Sequence, residues 1–306
     1  MDNFLSFLYC PECEKQLEIK NEKLKCDKCE YLLIKNKNIW TSEDTLELGY
    51  KDWQKSDGTR LRERSKSKFS TSKFESIYYN KIIHNSLKYL KDNSIILELG
   101  AGDGRFTNML QANHFVIVND INFQSLLRYS NISTDNSRLL FICCSFEKLP
   151  IKKNSLDLIT AIECLYYSND KFEDIFRNLF KLLITNGLFL DSEPLIDGII
   201  IYNLINKDFK GLSLNLDNNL KHEIIDKSAF PARVFSKTEL KNIYNSNGAE
   251  IIIEKNIPLF FSILSIIMTK VKDKKTSLKI SEMANNYKEE FSDYGRCYAT
   301  LLKKTK

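Results

Sequence analysis

From residue 95 onward, short apolar runs alternate with longer stretches in which apolar residues recur every three or four positions. The runs IILEL (95–99), FVIVN (115–119), LLFIC (139–143), LDLIT (156–160) and LFLD (188–191) predict β-strands. Residues 171–183 place Phe172, Ile175, Phe176, Leu179 and Leu183 on one helical face. Ser236-Lys237-Thr238-Glu239 has capping-box spacing and predicts a helix that ends at Gly248. Two further strands are expected at 249–253 (AEIII) and 297–302 (CYATLL). Strands alternating with helices predict an α/β sheet with crossover helices on both faces.

The first 75 residues follow a different pattern. Cys10-Pro11-Glu12-Cys13 and Cys26-Asp27-Lys28-Cys29 are separated by twelve residues, EKQLEIKNEKLK, that read as a short hairpin-like segment. Each C-x₂-C turn can aim two thiolates at one ion, and four such sulfurs suit tetrahedral Zn²⁺ in a closed, structural site. The expected organisation is a zinc ribbon at 1–45, a basic linker at 46–75 and an α/β domain at 76–306. The other four cysteines, Cys143, Cys144, Cys164 and Cys297, lie in apolar segments and read as small core residues.

Composition narrows the class further. With 306 residues and 43% hydrophobic content, the chain can build a large core and a smaller one. A net charge of +5 permits an anionic partner without demanding one. The opening MDNFLSFLYC has no basic leader, and the longest apolar run, 257–268, is shorter than the roughly 20 residues a membrane helix needs. A cytoplasmic protein without a transmembrane segment is expected, in which structural disulfides are disfavoured.

The candidate chemistry centres on ILELGAGDGRFT (96–107), a strand running into three alternating glycines and then a helix start. Such a bend turns backbone N–H groups toward a ligand. Asp120 closes the next strand twenty residues beyond Gly100, where a carboxylate can accept from both hydroxyls of a ribose. The ligand should therefore carry an adenosine-like group. A dinucleotide motif would need glycine at position 105, which is Arg105. Glu98 and Asp103 would repel a pyrophosphate but suit a ligand carrying an amino group and a sulfonium.

Several ordered segments over 76–306 resemble the class I S-adenosylmethionine-dependent methyltransferases. ILELGAGDGRFT resembles their glycine motif, and VNDIN (118–122) their acidic strand end. CSFEKLPIKKNSLDLITAIECLYY (144–167) is similar to the stretch around the adenine pocket and fourth strand, and LLITNGLFLDSEP (182–194) to the turn into the fifth. The resemblance implies a Rossmann-like seven-stranded sheet and S-adenosylmethionine as cofactor. It places Gly100, Ala101 and Gly102 under the methionine and ribose, Glu98 at the amino-acid end and Asp120 on the ribose. It also places Ile121 against adenine, with Ser145 and Phe146 at the adenine's amino edge; many members carry aspartate where this chain has Ser145.

The catalytic residue is not legible from the pattern. Tyr166 and Tyr167 follow the fourth predicted strand, and His222 lies in an insertion at 195–235 placed to cover the acceptor; all three are candidates. His84 and His114 read as structural. No Asn-Pro-Pro-Tyr or Asp-Pro-Pro-Tyr sequence occurs, which disfavours the usual exocyclic-amine DNA methylases. The cysteine segment is similar to the zinc ribbons of small methyltransferase-activator subunits, which leaves room for a protein partner. It also resembles the zinc motif of certain rRNA methyltransferases, which end in histidine where this chain has Cys29.

Three functions stay open. A methyltransferase acting on a small molecule, lipid or sugar would use the insertion and the 257–268 run to cover its pocket. An rRNA or tRNA methyltransferase would use the ribbon and the stripe Arg60, Arg62, Arg64, Lys66 and Lys68, with Trp53 and Phe69 to stack on bases. A non-catalytic zinc-ribbon adaptor would keep the fold only as a scaffold.

Overall fold

The computed structural model describes residues 6–42, 71–133, 135–207, 232–258 and 295–305, together with 222–223 and a few isolated positions. The strands are β1 (Glu18–Lys20), β2 (Lys23–Lys25), β3 (Leu32–Asn36), β4 (Ile39–Thr41), β5 (Ile95–Leu99), β6 (Phe115–Asn119), β7 (Leu139–Cys143), β8 (Leu156–Ile162) and β9 (Leu183–Pro194). They continue with β10 (His222–Glu223), β11 (Ala232–Arg233), β12 (Ala249–Pro258) and β13 (Gly295–Lys304). The helices are α1 (Thr71–Leu87), α2 (Thr107–Gln111), α3 (Phe123–Ile132), α4 (Phe172–Phe180), α5 (Ile196–Asn206) and α6 (Lys237–Ser246).

Seven strands form the sheet the sequence leads one to expect, in the order β7-β6-β5-β8-β9-β13-β12. The first five run parallel, and β13 lies antiparallel between β9 and β12. Parallel strands covered on both sides need apolar residues at every position, which is why the runs are continuous rather than alternating. Successive residues serve opposite cores. Ile96, Val116, Val118 and Leu158 face a cluster with Ile82 and Ile83 of α1, Leu110 of α2 and Leu126 of α3. Leu97, Ile117, Ile142 and Ile159 face Phe172, Phe176 and Leu179 of α4 and Leu240 and Tyr244 of α6. Each of these side chains contributes about 1.5–3 kcal/mol when fully buried.

The strand count departs from seven. Among the described residues the sheet has eleven strands, because β1 to β4 of the cysteine unit extend it beyond β7. The junction is parallel, with Trp40 opposite Ile142 and Thr41 opposite Cys143. Trp40, Leu24, Leu33 and Leu8 join the α4-side core, so the unit shares its hydrophobic interior with the large domain. The four short strands have little apolar surface of their own to bury, and pairing at β7 supplies a covered face and removes an exposed sheet edge.

Smaller departures concern boundaries. Residues 71–75, expected in the linker, begin α1, while 46–70, with the basic stripe, Trp53 and Phe69, lie outside the described residues. The helix expected at 171–183 stops at Phe180, and Leu183 opens β9. Ser236 caps α6 by accepting from the Glu239 N–H at 3.1 Å, but the Glu239 carboxylate turns to Arg233 at 2.8 Å instead of completing the box. Cys143, Cys144, Cys164 and Cys297 are buried in the core, as small core residues should be. Among the described residues no helix is long and apolar enough to cross a membrane; 259–268 lie outside them.

Candidate functional site

Strand order reverses between β5 and β8, so the connections after them leave in opposite directions. A crevice opens there at the carboxyl ends of the strands. It holds a cavity of about 370 Å³, lined after β5 by Gly100, after β6 by Asp120 and Ile121, and after β7 by Ser145, Phe146 and Glu147. The segment after β8 closes it with Glu163, Cys164, Tyr167 and Asn169.

Two glycines set the shape of the bend. At Gly100, φ is +60°, and a β-carbon would lie 2.5 Å from Cβ of Cys164; only a bare α-carbon lets the β8 segment cross there. At Gly102, φ is +55° and a β-carbon would meet nothing within 4 Å. One glycine is therefore required by the protein, while the other leaves open space for a ligand. Gly100→Ala should lower the melting temperature more than Gly102→Ala, whose backbone strain costs roughly 1–2 kcal/mol. Gly102→Ala should instead lose cofactor affinity while staying folded, which calorimetric titration beside thermal melting will separate.

Asp120 is held in place by the bend it faces. Its Oδ2 accepts from the Gly102 N–H at 2.7 Å and its Oδ1 from the Asn122 N–H at 2.7 Å. Burial raises its pKa, and those two N–H groups act against the shift. Ile121, Ser145 and Phe146 also line the cavity, on the Asp120 side.

Other expected residues sit elsewhere. Glu98 is buried behind the bend and does not line the cavity; its Oε2 accepts from Thr107 Oγ1 at 2.6 Å. Burial pushes its pKa up to about 8, so it carries little charge at neutral pH. Asp103 pairs with Arg128 at 3.0 Å. Of the two acids expected to repel a pyrophosphate, Glu98 is buried with its pKa raised and Asp103 is ion-paired, and the acids on the cavity wall are Asp120, Glu147 and Glu163. Ala101 is buried and donates its N–H to the Asn119 carbonyl. Of the three catalytic candidates, Tyr167 lines the cavity. Tyr166 lies beside it, the rings tilted at 40° with centroids 4.2 Å apart, and burial pushes its hydroxyl pKa well up. His222 is in β10, where its backbone pairs with Arg233 of β11. His84 lies in the last turn of α1, and His114 is buried before β6.

Sequence reasoning missed the polar group behind Glu163. Arg296 of β13 donates to Glu163 Oε1 at 2.6 Å, and the fully buried Tyr79 of α1 donates to the same oxygen at 2.8 Å. Burial pushes Glu163 up, but the Arg296 charge and these hydrogen bonds outweigh it and hold the carboxyl below its ordinary range. Asp191 and Glu193 of β9 are also fully buried, and Tyr244 donates to Asp191 at 2.9 Å.

At the other end, the sulfurs of Cys10, Cys13, Cys26 and Cys29 lie within 4.8 Å of one another. Four sulfurs around one Zn²⁺ at the usual bond length would be about 3.8 Å apart, so a modest contraction completes a tetrahedral site. Backbone N–H groups of Lys28 and Cys29 donate to Cys26 Sγ at 3.4 and 3.3 Å, the polarity a thiolate needs.

A family model described as Methyltransferase domain matches residues 97–190, spanning β5 to β9 and the cavity's glycine bend. That match and the strand order give this domain a methyltransferase fold. This methyltransferase fold is shared with a SAM-dependent methyltransferase from Methanosarcina mazei (TM-score 0.51, 16% identity, 73% of this chain and 96% of that one). It is also shared with a chain from the complex of the Haloferax volcanii Trm112 methyltransferase activator and a putative methyltransferase (TM-score 0.53, 14% identity, 83% of this chain and 95% of that one). In sequence, 109 residues are 29% identical to a sterol 24-C-methyltransferase from Kluyveromyces lactis, covering 33% of this chain. The match spans 28% of that relative's length.

Proposed function

We propose that the protein transfers a methyl group from S-adenosylmethionine to a small, partly apolar acceptor, and that its four N-terminal cysteines hold a structural Zn²⁺. The observation that carries the cofactor reading is the junction of Gly102 and Asp120: unobstructed backbone beside a carboxylate fixed by two N–H donors. Ile121 and Phe146 supply the apolar faces for adenine, and Ser145 a polar edge.

When bound, the cofactor supplies a methyl on cationic sulfur that departs as a neutral thioether when a nucleophile attacks in line. The chain's own task is to orient two reactants and exclude water, which can lower the barrier by about 7–11 kcal/mol. Tyr167, Cys164 and Ile175 form a wall suited to that task. Tyr167 is placed to orient an acceptor hydroxyl or amine; an acceptor that arrives deprotonated needs no base.

The charge of the cavity favours a small acceptor over RNA. Its lining includes Asp120, Glu147 and Glu163 against Lys171, and Lys171 pairs with Glu147 at 2.8 Å. Such a wall repels phosphates. The partial likeness to a sterol methyltransferase supports a greasy acceptor in the same direction. Transfer of a labelled methyl group into fractionated cell extract tests the reading: label is expected in the small-molecule or lipid fraction. Label in RNA would move the assignment to the RNA reading, whose affinity should then fall steeply with salt. No transfer and no cofactor binding by folded protein would leave the adaptor reading.

A further inference from the structure

Asn169 lines the cavity with a backbone that its side chain does not favour. Its φ is +50° and its ψ −122°, which breaks the helical path between Tyr167 and the start of α4. Such a conformation costs a non-glycine residue energy and persists only where the surroundings hold it. Two hydrogen bonds do so here. Asn169 Nδ2 donates to the Tyr167 carbonyl at 3.3 Å, and the Asn169 carbonyl accepts from Arg233 Nη1 at 3.3 Å. Two residues of the cavity wall are thereby tied to one guanidinium.

Arg233 is itself firmly held. Its Nη2 donates to Glu239 of α6 at 2.8 Å and to Glu173 of α4 at 3.4 Å. The guanidinium lies 4.9 Å from the ring centroid of Phe235 and 5.8 Å from that of Phe172, and the side chain is 16% exposed. A planar fork can serve a carbonyl and two carboxylates at once, which a lysine ammonium on a flexible stem does not. Arg233 also stands where the 195–235 insertion returns. The Phe235 N–H donates to the Pro194 carbonyl and the Ile196 N–H to the Phe235 carbonyl, both at 3.1 Å, so the insertion's two ends close together at the end of β9.

We infer that Arg233 is a positioning residue for methyl transfer: acting through the Asn169 carbonyl, it fixes Tyr167 and Asn169 on the acceptor side of the cavity. The role assigned to Arg233 rests on the proposed reading of Tyr167 as the residue that orients the acceptor. Gly102, Asp120, Ile121, Ser145 and Phe146, which are offered to the cofactor, follow β5, β6 and β7. Loosening the segment after β8 should therefore leave cofactor binding in place.

Arg233→Lys, which keeps the charge and loses the fork, tests this in three measurements on the full chain. Affinity for S-adenosylhomocysteine should stay within about 2-fold of wild type. Labelled methyl transfer into the small-molecule and lipid fraction of cell extract, with that fraction raised to saturation, should reach a limiting rate about 10- to 100-fold lower, because misplacing a reactant by about 1 Å costs up to roughly 100-fold. Backbone amides of residues 167–171 should exchange faster with solvent, while those of β5 and β6 keep their protection.

A wild-type limiting rate would overturn the inference, as would a rate loss matched by an equal loss of S-adenosylhomocysteine affinity, which marks a support of the fold. Unchanged exchange at 167–171 would overturn it too, and that measurement needs neither cofactor nor acceptor. If Arg233→Lys does not fold, Glu239→Ala decides: it removes the shortest bond that aims Arg233 and should lower the limiting rate about 3- to 10-fold. Wild-type rate and exchange in that variant would refute the role of Arg233. Failure of wild-type protein to bind S-adenosylhomocysteine would instead remove the cofactor reading itself, and the exchange comparison would still decide whether Arg233 holds the wall.

Discussion

Asp120→Ala should weaken S-adenosylmethionine binding by at least about 100-fold, because two hydrogen bonds to a charged acceptor are worth roughly 3–6 kcal/mol together. The carboxylate also serves the protein, accepting from the Gly102 and Asn122 N–H groups at 2.7 Å each. Removing it leaves those donors without their acceptor and frees the bend to move, so affinity and stability should fall together. Asp120→Asn separates the two effects. Its single amide oxygen can satisfy one of the N–H groups and keeps the volume, so its melting temperature should stay nearer wild type while its affinity still drops. Calorimetric titration of both variants beside their melting curves gives the comparison. Wild-type affinity in Asp120→Ala would remove the ribose contact and with it the main support for the cofactor.

The parallel sheet was legible because its strands are buried on both faces. Each appears as an unbroken apolar run, and the crossover helices between them carry a 3.6-residue period that residues such as Phe172 and Phe176 make plain. The glycine bend and Asp120 were legible because strand, turn and acid fall within about one βαβ unit, where spacing in sequence fixes spacing in the fold. Long-range pairings carried no such signal. The union of β4 with β7 joins Trp40 to Ile142, and nothing local in IWT announces its partner. Glu163 and Arg296 are brought together only because β13 folds back beside β9. The expectation for Glu98 illustrates a second limit. A motif position gives a residue's place along the strand, but not whether its carboxyl is charged, and burial pushes this one up to about 8.

Removing the metal should have the largest effect on the molecule as a whole. Structural zinc sites in isolated ribbons and fingers contribute about 10–16 kcal/mol of apparent binding energy that is inseparable from folding. Here the knuckles fold back on the large domain along the loop that carries Ser145 and Phe146. Tyr31 donates its hydroxyl to the Lys148 carbonyl at 2.8 Å, the Tyr9 N–H donates to Pro150 at 3.0 Å, and the Lys152 N–H donates to Phe7 at 2.9 Å. These bonds hold the proposed adenine wall from the ribbon side. Cys26→Ser, or chelation of the wild type, should therefore abolish zinc content and lower the melting temperature. If the lost stability is about 5 kcal/mol, the drop is on the order of 10–20 °C for a domain of this size. S-Adenosylmethionine affinity should fall as well, although no cysteine of the quartet lines the main cavity. By reciprocity the cofactor should in turn raise the affinity for zinc, a coupling that a free-standing ribbon on a linker would not show. Mass-spectrometric metal analysis, calorimetry and equilibrium competition with a chelator, with and without cofactor, measure the three effects separately. A variant that keeps its zinc would refute the metal site. One that loses zinc yet binds cofactor as wild type would show that the shared sheet transmits nothing from the ribbon to the adenine wall.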